Sequence, residues 1–179
     1  MLAPTASTPT PDWMAGARLL PWSWAVERLE TERNYWLVTV RRDGFPQARP
    51  VWGVWSELGL LLSVGHGGLQ RAEPRPEMPI TVHTDDAVDV VILEGVVDRV
   101  ASYPGDDGVP PSLEIEPSIR RDALERYNAK YSWNLEIDGD GLNFLVRPRV
   151  AYGWHSTMTA VEGGTRWAFQ TDARSRLRS

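Results

Sequence analysis

Two apolar, β-rich runs, residues 35–40 and 51–55, flank Arg41-Arg42-Asp43-Gly44. Asp-Gly between such runs specifies a hairpin, because glycine tolerates the positive φ of a tight turn. The second arm runs through Arg49-Pro50-Val51-Trp52. A proline inside a strand forfeits a ladder donor, so Pro50 predicts either a sheet edge or a stretch whose backbone faces something other than a strand, such as a flat ligand. Trp52 and Trp55 are three residues apart and face opposite sides of a regular strand, so they cannot both stack on one ligand.

The rest of the chain reads as further short strands with two helices. Apolar spacing predicts helices at about 22–33 and 118–133, the second entered through Pro117, which suits a first helical turn. Strands are expected at 35–41, 47–55, 60–64, 80–84, 88–93, 96–100, 143–150 and 166–170, with Gly95 marking a bulge. Residues 101–116 are rich in Pro, Gly and Asp and read as a surface loop. Six or more β segments with two helices suit an antiparallel barrel better than a βαβ sheet. At 179 residues this is one domain, placed at 13–171, with an unstructured tail over 1–12 and a basic tail over 172–179.

Composition narrows the chemistry. The net charge of -5 disfavours generic nucleic-acid binding. No apolar run approaches the ~18 residues that span a bilayer, and no secretory signal is visible, so no membrane partner is expected and the cytoplasm is the default compartment. Zero cysteines excludes disulfides and thiolate chemistry. His66, His83 and His155 lack metal-ligand spacing, and no Gly-x-Ser-x-Gly elbow occurs, so neither a metal site nor a serine nucleophile is expected. His83 and Asp85, Asp86 and Asp89 read as a structural histidine and a solvated turn. Lys130 is the only lysine, an excess of arginine that fits G/C-rich codon usage before anion binding. The nine tryptophans belong to cores, ring-stacking sites or a buried dimer interface.

One segment has the composition of an anion cradle: Ser63-Val64-Gly65-His66-Gly67-Gly68-Leu69-Gln70-Arg71. Glycines let backbone N–H groups approach an anion closely, and Arg71 adds a charge-assisted donor for phosphate. No Gly-Lys-Ser/Thr follows, so this is not a P-loop. A glycine turn without a ligand fits the same residues.

Taken in order, the hairpin, the glycine loop and the closing Thr165-Arg166-Trp167-Ala168-Phe169 resemble the pyridoxamine 5'-phosphate oxidase-like superfamily, over about residues 22–169. The resemblance implies a mainly β fold, an antiparallel split β-barrel of the FMN-binding type with flanking helices. It implies FMN, or alternatively the deazaflavin coenzyme F-420, as cofactor. Arg49, Pro50 and Val51 match the strand against the ring system. Ser63, Val64, Gly65, Gln70 and Arg71 match the segment that leads to the cofactor phosphate, and Arg166 matches a closing strand that approaches the cofactor from the other subunit. Leu69, Pro74 and Arg75 depart from the family pattern, which has a serine and then Asn-Leu there. The expected function is a flavin-type oxidoreductase acting on a small molecule as a homodimer. The alternative is a carrier for a flavin, deazaflavin or haem-like ligand.

Overall fold

The computed structural model describes residues 4–8, 18–41, 43–64, 78–101, 111–136, 141–156 and 161–170. In chain order the elements are β1 (Thr5–Ser7), α1 (Trp22–Thr31), β2 (Tyr35–Val40), β3 (Pro46–Ser56), β4 (Gly59–Ser63), β5 (Met78–Thr84), β6 (Asp89–Arg99), α2 (Pro117–Tyr131), β7 (Phe144–Ser156) and β8 (Val161–Ala168). The strands form one sheet in the order β1-β8-β7-β4-β3-β2-β5-β6, and a further β7–β6 pairing closes it on itself. Closure removes the edges of six strands, while β8 and β1 extend outward from β7.

Two strands change partners along their length. β3 pairs with β2 over residues 46–51 and with β4 over residues 52–56. β7 pairs with β4 over residues 144–146, with β8 from Val150 onward, and with β6 throughout. These exchanges split the barrel. The fold is mainly antiparallel β, as the alternating runs imply.

Strand periodicity separates two cores. Tyr35, Leu37, Val51, Trp55, Leu60, Leu62, Val82, Leu93, Phe144 and Val146 point inward, where α1 adds Ala25 and Leu29. Their neighbours Val54, Leu61 and Leu145 point outward under Ala123, Leu124, Tyr127 and Tyr131 of α2. The run Leu60-Leu61-Leu62 is therefore buried on both faces. Pro117 occupies the first turn of α2, as expected.

The hairpin closes as Asp43-Gly44 predicts: Gly44 takes φ +83°, and Arg41 N–H donates to Phe45 O at 3.0 Å. The bulge at Gly95 is also present. Glu94 pairs with Val150 but Gly95 with Pro148, so Arg149 is the extra residue. That bulge accommodates Pro148, which has no N–H to give a regular ladder.

Three expectations need correction. The segment 1–12 contains β1, whose Thr5–Ser7 pairs with β8 through Thr5↔Ala168 and Ser7↔Arg166, so it is not wholly an unstructured tail. A three-residue strand has too little pattern to be read locally; the free edge of β8 makes it. β7 extends to Ser156 because β6 and β8 pair with it beyond Val150. β8 begins at Val161, five residues before the expected start.

Candidate functional site

The site residues expected from the sequence fall around the place where β3 changes partners. Beyond Trp52↔Ser63, β4 ends and β3 continues with only β2 beside it among the described residues. Among the described residues, 46–51 thus have no strand on their second edge, next to the end of β4. Pro46 and Pro50 both lie on this stretch, where a missing N–H costs no ladder bond. Pro50 lies on the stretch of β3 that is paired on one side only among the described residues.

Arg49 and Val51 face inward, opposite Leu37 and Tyr35. Val51 is buried, whereas Arg49 is half-buried and donates to Gln47 Oε1 at 3.2 Å. Gln47 in turn donates to Thr39 Oγ1 at 3.1 Å. This polar row lines the inner face of the projecting hairpin. Pro50 faces outward and is exposed. Ser63 faces outward beside Trp52 and hydrogen-bonds Tyr127. Val64 is buried in the barrel core, and its N–H and C=O are both held by the Asn143 side chain, at 3.1 and 3.0 Å. Gly65, Gln70 and Arg71 lie outside the described residues, as do Leu69, Pro74 and Arg75. Arg166 lies on β8, opposite Tyr152 and Ser7. Strands β7 and β4 separate it from β3 in the sheet order, so within one chain it does not join the others. Trp167 is fully buried and Phe169 packs on the same core, as expected for this pair.

A polar and aromatic cluster that no sequence motif marks lies at the C-terminal end of α2. The Lys130 ammonium donates to Tyr35 Oη at 2.8 Å and to Gly53 O at 3.3 Å. Tyr35 in turn donates to Leu29 O, and Tyr131 Oη meets Arg33 O at 2.8 Å and Gly53 O at 3.0 Å. Burial lowers the Lys130 pKa to about 8, against the opposing pull of Glu32 and Glu30. Burial likewise pushes Tyr131 up to about 12, and holds Tyr35 well above the usual tyrosine range. Only long-range packing brings these groups together, so no local motif announces them.

These shifts fix the sign of an alkaline effect. The folded chain holds the Lys130 proton less tightly than the unfolded chain, whose value is the ordinary 10.5. Stability therefore rises with pH from about 8 toward 10. Beyond that the tyrosines reverse the trend, because the unfolded chain ionises them first. Both acceptors of Lys130 keep another partner, so Lys130→Met should leave stability at neutral pH unchanged or higher and abolish the rise. Urea midpoints measured across that range check this; a variant that is destabilised at neutral pH and still shows the rise would overturn it.

A second polar group ties α1 to the sheet. Arg28 Nε donates to Asp89 Oδ2 at 2.8 Å, and His155 Nδ1 contacts Asp89 Oδ1. Partial burial opposes ionisation of Asp89, but His155 and Arg28 outweigh it and hold the carboxyl below its ordinary value. Asp89 is thus not part of a solvated turn, unlike Asp85 and Asp86, which are exposed. His83 is a structural histidine, with Nδ1 2.8 Å from Thr84 O. The described residues contain no group of three or more potential metal ligands. No helix among them is long and apolar enough to cross a membrane.

A scan against protein-family models finds no match, and a search of curated proteins finds none either. Solved structures do match. The crystal structure of conserved hypothetical protein Rv2991 from Mycobacterium tuberculosis aligns with a TM-score of 0.55 at 14% identity, over 81% of this chain and 98% of that one. The haem storage protein HutZ from Vibrio cholerae aligns at 0.47 and 16% identity, over 73% and 91%. An F420 reductase aligns at 0.44 and 21%, over 70% and 93%. At these identities the likeness concerns the fold. The chain thus shares the fold of the first of these, here a mainly antiparallel sheet closed on itself, with strands that exchange partners.

Proposed function

We propose that the protein binds a flavin-type cofactor, FMN or alternatively deazaflavin F-420, along the open edge of β3, and that it acts as an oxidoreductase on a small molecule. The observation that carries this reading is the partner exchange of β3. Among the described residues it leaves residues 46–51 without a strand on their second side, directly beside the end of β4. That side can offer backbone carbonyls and the Ala48 N–H, Pro46 and Pro50 having none to give, and such groups read the polar rim of a ring system. Ser63 and Arg49 flank this edge, and Gly65, Gln70 and Arg71 would carry the phosphate. The cofactor supplies the hydride or electron chemistry; the chain holds the ring and excludes water. No side chain is assigned as acid or base.

The same reading includes a homodimer. The outward residues of the hairpin are Trp36, Val38 and Val40 on β2 and Pro46, Ala48 and Pro50 on β3, all apolar and none buried. Ile92 and Tyr152, also half-exposed, continue this face across the sheet through the register Trp36↔His83↔Ile92↔Tyr152. A contiguous apolar face of this kind marks an interaction surface, and two-fold pairing is its commonest solution. A second copy would also bring Arg166 toward a site its own chain does not reach. Sedimentation at micromolar concentration should show a dimer; a lone species of 20.1 kDa would count against it.

The phosphate role gives a specific test. Arg71→Ala should weaken FMN by roughly 10- to 100-fold, the loss of a charge-assisted bond, and leave riboflavin, which has no phosphate, unchanged. Equal loss for both ligands, or none for either, removes Arg71 from the site. The carrier reading, for a flavin, deazaflavin or haem-like ligand, is retained because Leu69, Pro74 and Arg75 depart from the family pattern. Single-turnover absorbance separates the two. An oxidoreductase passes electrons from the bound reduced cofactor to a quinone-like acceptor faster than the free cofactor does, whereas a carrier does not.

A further inference from the structure

The C-terminal end of α2 displays an indole in an unusual way. Trp133 is 56% exposed, like Ser132 and Asn134 beside it, although the residues two positions away on either side are anchored. Tyr131 is buried in the outer core, and Leu135 packs against it. The loop between them is locked. Trp133 N–H donates to Asn128 O at 3.0 Å. The Asn128 side chain clamps Leu135 twice, receiving its N–H at 2.9 Å and donating to its carbonyl at 3.0 Å. Ser132 takes φ +53°, the one non-glycine residue with positive φ among those described. This left-handed residue is the C-cap that ends α2, a common way for a helix to stop, and it sets the direction in which the loop leaves. The exposure of Trp133 is therefore imposed by the loop and is not a frayed end.

What Trp133 faces is another indole. Its ring lies 6.0 Å from that of Trp52, at 77° to it, so the two form a corner. Trp52 is itself fixed: Tyr131 stacks on it at 4.6 Å and 10°, and its Nε1 donates to Asn34 Oδ1 at 3.2 Å. Tyr127 follows Tyr131 at 4.6 Å but tilted at 47°, so the stack itself is Tyr131 on Trp52. The exposed Arg33 guanidinium lies 5.8 Å from the Tyr131 ring and brings positive charge to the same end of the helix. On β3, Trp52 shares its outward face with Pro50, two residues along and uncovered, and stands opposite Ser63. The corner thus adjoins the open strand edge.

We propose that Trp133 and Trp52 form the stacking corner for the planar ring of the cofactor, with Trp133 as the residue that determines ring affinity. This rests on the flavin-type reading above for the identity of the ring. A flat conjugated ring can stack against one indole of this corner while meeting the other edge-on, the two geometries aromatic pairs prefer. An anionic ring or tail would be favoured further by Arg33.

The test is titration of FMN and of riboflavin into the full-length protein and into Trp133→Ala and Trp133→Phe, following the ring's visible absorbance, with sedimentation alongside. Trp133→Ala should weaken both ligands about tenfold or more, the usual scale of losing one aromatic stacking partner. It should also diminish the change in ring absorbance on binding, and Trp133→Phe should restore most of the affinity. Unchanged affinity and absorbance in Trp133→Ala would overturn the corner while leaving the flavin-type reading intact. A Trp133→Ala chain that turns monomeric where the native chain is dimeric would instead assign Trp133 to the subunit contact, and overturn the corner. A native chain that binds neither ligand, nor the deazaflavin coenzyme, overturns both.

Discussion

Trp167→Ala is expected to cost about 3–5 kcal/mol of folding stability. The side chain is fully buried, the largest to be so, at the point where β8 meets β7 and α1 covers the barrel. Trp22 meets it edge-on at 5.3 Å, and Trp22 also contacts Trp55 and Phe169 at 5.8 and 5.0 Å. Truncation would open a cavity shared by α1, β3 and β8, three elements whose relative positions the aromatic cluster fixes. Trp167→Phe should cost much less than half as much. Its ring refills most of the space, and the Trp167 Nε1 is buried without a hydrogen-bond partner among the described residues. Removing an unsatisfied polar group forfeits no hydrogen bond. Chemical denaturation of both variants checks the pair; equal losses would mean that the indole N–H makes a bond after all.

Gly95→Ala is the second large effect, about 3 kcal/mol or more. A Cβ at this position would lie 2.1 Å from Arg147 O and 2.9 Å from Pro148 Cα, both backbone atoms that cannot swing aside. The contact lies at the bulge where β6 meets β7, the pairing that closes the barrel. Relief would require the two strands to separate and break neighbouring ladder bonds. Gly44→Ala is the internal control. Gly44 has φ +83° but nothing within 4 Å of its Cβ direction, so that change meets only backbone strain of about 1–2 kcal/mol. If thermal or urea unfolding finds the two substitutions equivalent, close approach at the bulge is not what makes Gly95 necessary.

The sequence carried the local features well. Asp43-Gly44 set the hairpin, Gly95 the bulge, and Pro117 the start of α2, because each acts through its own backbone. The opposite facing of Trp52 and Trp55 followed from strand parity alone: Trp55 packs in the barrel and Trp52 under α2. Pairings set by distant strands were not legible. β1 exists because β8 has a free edge, and β7 outruns its apolar pattern because β6 and β8 hold it. The site divided in the same way. Arg49, Pro50, Val51 and Ser63 could be placed on strands from their spacing and Pro50 pointed to an edge, but where β3 changes partners depends on distant strands. Lys130, Tyr35, Tyr131 and Trp133 come from two separate elements, β2 and α2, and the loop after α2. Composition marked Lys130 as unusual without indicating what it touches.

The claim that most needs testing is that this barrel holds a flavin-type cofactor at the open edge of β3. The direct measurement is the visible absorption spectrum of the protein purified from a host able to make both FMN and the deazaflavin coenzyme, followed by titration of each into the cofactor-free chain. The account predicts co-purifying or saturable flavin or deazaflavin absorbance, weakened for phosphate-bearing ligands by Arg71→Ala. A colourless protein that takes up neither compound would contradict it.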